Sequence, residues 1–195
     1  LGVTSSWYFR WKTANAQLIL EIQNNGSEVG LHFETLATVC RKYNISKRSA
    51  ISQYIIKEAR EQLKSEIDEF RNRYNLACKT IASHGHRINR QIKMANNEII
   101  DFEFCKEAGI ETEAYNPMLL KQVDSYISDD HILRNFGWAY GTTMKDALDQ
   151  KHRTICFLSH PHHWDLSLKR RINMIIQWLK KGVNNYQKPF KPTYR

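Results

Sequence analysis

An alternation limits the fold more than any other feature of this chain. Short β-branched or aromatic runs are separated, one after another, by stretches with helical periodicity. "SSWYFRW" reads as a strand. "ANAQLILEIQNNG" reads as a helix with Leu18, Ile19 and Ile22 facing inward and Gly26 as its stop, and "SEVGLHF" as a second strand. From Lys47 to Tyr74 the apolar positions are Ile51, Ile55, Ala59, Leu63, Ile67, Phe70 and Tyr74, a spacing of three and four that predicts one long amphipathic helix. "ACKTIAS" is a third strand, and "NNEIIDFEFCKEAG" a short helix ended by Gly109. "QVDSYISDD" is a fourth strand, "TTMKDALDQ" a short helix capped by Thr142 or Thr143, and "RTICFLS" a fifth strand. "SLKRRINMIIQWLKKG" closes the series as a helix with Leu168, Ile172, Ile175, Ile176 and Leu179 on its core side. This order predicts an α/β fold built on a parallel sheet. Five strands are few for a closed eight-stranded barrel, so an open sheet or an incomplete barrel is expected.

In a parallel sheet the C-terminal strand ends share one side, and chemistry is placed there. The second strand runs into His32 and Glu34, and the third into His84 and His86. The fourth runs into Asp129, Asp130 and His131, and the fifth into His160, His162 and His163. Seven of the eight histidines thus fall at four strand ends, with only His152 elsewhere. Imidazole and carboxylate together form the ligand set of zinc and related ions. A further histidine beside such an ion supplies a general acid or base near neutrality.

Composition narrows the classes further. The chain has 195 residues, enough for one domain with a real core, and residues 1–183 are expected to form it, with 184–195 a basic tail. No apolar run is long enough to span a bilayer. The four cysteines, Cys40, Cys78, Cys105 and Cys156, form no CxxC pair and read as buried free thiols, which favours a reducing, cytoplasmic location. The net charge of +9 suits an anionic partner, but the basic residues look dispersed over helix faces, and nucleic acid is not the expected partner.

The motifs "NGSEVGLH" and "FLSH", in this order and at strand ends, resemble the polysaccharide deacetylases of the NodB-homology type. The resemblance covers most of the chain. It implies an incomplete (β/α) barrel and a metal-dependent deacetylase acting on an acetylated glycan, with a divalent metal, zinc above all, activating water. Carried over, His32 is the first metal histidine and His160 the general acid that protonates the leaving group. The family's second metal histidine falls at Leu36 here, so His84 or Glu34 must replace it. Asp130, or equally Asp129, and His131 are candidates to orient His160. His86, His162, His163 and Trp164 are expected to contact substrate, although Trp164 could equally be packing at a helix start. The family's two catalytic aspartates lie on a first strand, and the first aspartate here is Asp68, inside the long helix; that strand is expected upstream of Leu1. A deacetylase-fold protein that binds a glycan or a protein partner without catalysis is the alternative.

Overall fold

The computed structural model describes residues 4–129, 138, 142–161 and 172. The chain divides into two units, Leu1–Asn116 and Pro117–Arg195. The first is an α/β unit around four parallel strands in the order β1-β2-β3-β4: Ser6–Phe9, Glu28–Phe33, Thr80–Ser83 and Thr112–Glu113. The order in space is the order in sequence, so each strand is followed by a helical crossover to its neighbour. Phe33 is level with Ser83, and Ile81 with Glu113. All four strands therefore end on one edge, where Arg10, Glu34, His84 and Glu113 follow or close them.

Helix α1 (Ala16–Asn24) starts at Asn15, whose side chain accepts from Leu18 N, and stops, as its sequence predicts, before Gly26 in the left-handed region. Its inner stripe is narrower than expected. Ile19 and Ile22 are buried, but Leu18 is 43 % exposed, because a short helix turns a neighbouring residue about 100° away from the stripe. Helix α2 (Thr35–Lys42) begins directly after β2 and buries Leu36, Val39 and Cys40.

The predicted long helix is α3 (Gln53–Tyr74), capped by Ser52 and ended at Asn75. Ile55, Ala59, Leu63, Ile67, Phe70 and Tyr74 are buried as their spacing predicts, while Ile51 precedes the helix and packs on the core edge. Arg71 on this helix ties the sheet entry together. Its guanidinium donates to the carbonyls of Ala77, Cys78, Ala108 and Gly109 at 2.8–3.2 Å. Short helices α4 (Arg87–Ile92) and α5 (Phe102–Ala108), with a 3₁₀ turn at Asn96–Ile99, connect β3 to β4. The single helix expected over "NNEIIDFEFCKEAG" is thus divided, with Asp101 capping the second piece and Gly109 ending it.

Gly30 shows why the "VGLH" motif has no side chain at that point. A Cβ there would collide with the Thr80 carbonyl on β3 and lie 2.7 Å from the Tyr8 ring on β1. The glycine lets Tyr8 cross the middle strand and reach Thr80 Oγ1 at 3.3 Å.

The second unit contains β5 (Ser125–Ser128) and β6 (Ile155–Leu158), paired in parallel from Ser125–Ile155 to Ser128–Leu158. Helix α6 (Pro117–Leu120) precedes β5. Helix α7 (Met144–Asp149) lies between the strands and opens with a reciprocal cap between Thr143 and Asp146. Asp124 Oδ2 accepts from the backbone N–H groups of Arg153 and Thr154, fixing the start of β6. Of the predicted last helix only Ile172 is described; it is helical but 46 % exposed, not on the core side where its spacing put it, and the remainder of that helix and the tail lie outside the described residues. No described helix is long and apolar enough to cross a membrane. All four cysteines are free; Cys40 and Cys78 are buried as expected, Cys105 and Cys156 are half-buried, and burial pushes all four thiols above the ordinary range.

Candidate functional site

Strand pairing puts His32 of β2 level with Ala82 of β3, two residues before His84. His32 Nδ1 is 3.1 Å from the Ala82 carbonyl, which can only accept, so the proton of the neutral ring sits on Nδ1 and the lone pair on Nε2. The His84 ring lies edge-on to His32, with centroids 5.0 Å apart at 84°. His84 Nδ1 faces Glu34 Oε2 at 3.3 Å, and the other Glu34 oxygen is held by Arg10. Arg10, Glu34 and His84 therefore form a chain across three adjacent strand ends. Both imidazoles have Nδ1 near an oxygen: His32 in a hydrogen bond to the Ala82 carbonyl, the kind of contact that orients metal-binding histidines, and His84 in an ion-pair contact with Glu34 without hydrogen-bond geometry. Two imidazoles sharing one ion at about 2.0–2.1 Å from each nitrogen have centroids roughly 5 Å apart, close to the separation here. Glu34 is engaged by Arg10 and His84, which suits an orienting carboxylate better than a ligand. Among the described residues no group of three or more His, Cys, Asp or Glu is arranged to hold a metal ion.

The strand end bearing His84 is clamped on three sides. His84 N donates to Phe33 O on β2 at 2.7 Å, and Ser83 N donates to Glu113 Oε1 on β4 at 2.9 Å. The His84 carbonyl accepts from Asn96 Nδ2 at 2.5 Å. Asn96 is buried, and its own Oδ1 accepts from Ala37 N in the first turn of α2, just past Glu34. One amide thus sets His84 against the element that carries Glu34. Glu113 is also buried. Burial pushes its carboxyl above the usual range, although the N–H groups of Ser83 and Tyr115 partly offset the shift.

His86, expected at a substrate contact, has a structural task. Its Nδ1 accepts from Ile88 N at 3.1 Å and its backbone N–H donates to Asn89 Oδ1, so it caps α4. A more open depression on the outer face of α3, lined by Ser65, Asp68 and Glu69, carries none of the strand-end residues.

In the second unit, Asp129 follows β5 and His160 follows β6, so parallel pairing makes them neighbours. Asp129 Oδ1 is 2.6 Å from His160 Nδ1, and Oδ2 accepts from His160 N at 2.7 Å and Ser159 Oγ at 2.8 Å. Burial opposes ionisation of Asp129, yet these donors outweigh it and hold the carboxyl below its ordinary range. The ring proton is thereby kept on Nδ1 and the second nitrogen, Nε2, is the one oriented for proton transfer. Asp129 is therefore the described carboxylate on His160. Asp130, the first-named candidate for that role, lies outside the described residues, as do His131, His162, His163 and Trp164.

Sequence reasoning missed Arg10, Asn96 and Glu113. Arg10 was within reach, since "WYFR" ends a strand just as the histidine motifs do. Asn96 and Glu113 carried no such signal. No family model matches the chain, and no curated protein or solved structure matches it.

Proposed function

We propose that the chain is a metal-dependent deacetylase acting on an acetylated sugar or polysaccharide, built as an incomplete (β/α) barrel. The observation that carries this is the His32–His84 pair at the C-terminal ends of neighbouring parallel strands, with Glu34 and the Ala82 carbonyl on the two Nδ1 atoms. His32 and His84 would hold the metal, probed first as zinc, and further ligands would come from groups outside this pair. When bound, such an ion supplies water that is acidic near neutral pH and polarises the acetyl carbonyl. Glu34 keeps His84 oriented, and Arg10 holds Glu34 in place. His160 Nε2, as imidazolium, gives its proton to the leaving amine nitrogen or alkoxide oxygen, and Asp129 stabilises the charge it carries meanwhile.

The test is to strip the full natural chain of metal, titrate it with Zn²⁺ or Co²⁺, and assay acetate release from N- and O-acetylated oligosaccharides. One tightly bound ion, lost in His32→Ala, together with acetate release is the expected result. Absence of both overturns the proposal. A second reading, glycan binding without catalysis, is favoured by the engagement of Glu34 with Arg10 and the lack of a three-ligand group among the described residues. Oligosaccharide binding with neither metal nor acetate release would select it.

A further inference from the structure

Charge in the first unit is less evenly spread than the linear sequence suggests. Residues 41–48 and 86–93 contain seven Arg and Lys and no Asp or Glu. Among the described residues only two of the seven have a carboxylate partner, Lys42 with Glu58 and Arg48 with Glu98. These two segments, the end of α2 with the turn after it and helix α4, face each other across a cleft of about 410 Å³. Arg41 and Arg87 line it, along with Asn44, Ser46, Ile45 and Ile88. Among the described residues neither arginine has an ion pair or a side-chain hydrogen-bond partner. His86 also lines the cleft and lies two residues from His84, a reach of at most about 7 Å along the backbone. His86 thus places one lining residue of the cleft two positions along the chain from His84 of the strand-end site.

Two unpaired guanidinium groups beside one concave surface are a match for carboxylates, which they can grip with two parallel hydrogen bonds. The amide of Asn44 and the hydroxyl of Ser46 suit ring hydroxyls, and Ile45 and Ile88 give a short apolar floor. The volume is that of a small-ligand site. Among the described residues no Phe, Tyr or Trp side chain lines the cleft to serve as a stacking platform for single-stranded nucleic acid.

We propose that this cleft is a subsite for an acidic glycan, with Arg41 and Arg87 binding the carboxylate of a uronic acid residue. The identity of the ligand as a glycan rests on the deacetylase reading; its negative charge rests on the cleft alone. The experiment measures binding of the full chain to labelled oligogalacturonate, to an uncharged chito-oligosaccharide of equal length, and to a single-stranded oligonucleotide of equal charge. Oligogalacturonate is expected to bind about tenfold or more tighter than the other two, and to weaken with salt. The exposed double variant Arg41→Glu/Arg87→Glu should lose about tenfold or more of that affinity. Lys12→Glu/Lys121→Glu, two exposed positions outside the cleft, should lose little. No binding, equal loss in both double variants, or equally tight oligonucleotide binding would overturn the subsite. Metal titration of the same variants separates the two proposals. Metal binding that survives while all oligogalacturonate binding is absent removes the subsite only, and cleft-dependent binding without metal or acetate release removes the deacetylase only.

Discussion

Asp129 holds His160 at two points, taking the backbone N–H on one carboxylate oxygen and ring Nδ1 at 2.6 Å on the other. Two grips from one carboxylate fix both the position and the tautomer of the imidazole. Asp129→Asn should remove the charge and allow an amide donor to face Nδ1, so the ring is expected to change tautomer. Acetate release should fall about 10²–10⁴-fold, as for loss of a general acid, and His160→Ala should fall by a similar factor. Metal content should stay unchanged in both. Tautomer-sensitive ¹⁵N spectra of the imidazole provide the check that a purely structural role would not move. The lowered Asp129 also contributes stability that is present above about pH 4 and is lost as pH falls through the folded value.

Glu34→Gln separates ligand from orienting group. The amide keeps the shape but loses the charge that Arg10 and His84 Nδ1 share. Outer groups of this kind typically change metal affinity about 10–100-fold, whereas His32→Ala should abolish tight binding. Isothermal titration with Zn²⁺ measures both. Equal loss in the two variants would make Glu34 a ligand.

Asn96→Ala should be costly for its size. It strands the Ala37 N–H and the His84 carbonyl, and Asn89 loses a partner as well. Each buried group left without a partner costs about 1–3 kcal/mol. Urea unfolding should show a drop of at least that size, with faster amide exchange at Ala37. A change under about 0.5 kcal/mol, the range of ordinary surface substitutions, would mean the clamp is not formed.

Glu113 should make stability depend on pH in the direction opposite to Asp129. Its folded carboxyl keeps a proton above the unfolded value of about 4.3, so the native state binds more protons across that window. Its contribution is therefore fully present below the unfolded value and declines as pH rises through the folded one. The stability of the natural chain relative to Glu113→Gln, measured by urea unfolding at several pH values, should fall as pH rises over that interval. A flat difference would contradict the raised pKa.

Local chemistry alone determined much of this protein. The period of α3, the cap at Thr143, the stops at Gly26 and Gly109 and five strand-like runs are set by residues within a few positions of one another. For that reason they were legible without coordinates. The strand-end rule also put His32 and His84 at one edge of the first sheet and His160 just past β6 in the second unit, because within each parallel sheet the strands deliver their ends to the same edge. Tertiary structure decided the rest. Strand β4 has two residues and no periodicity to read, so Glu113 gave no signal. Helices α2 and α4 are short and interrupted by polar residues, and only packing distinguishes them from loop. Register made Asp129 a neighbour of His160, and sequence cannot choose between adjacent residues that leave a strand in opposite directions. The bridge through Asn96 and the unpaired arginines across the cleft join segments about fifty residues apart, a distance over which only the folded chain can bring side chains together.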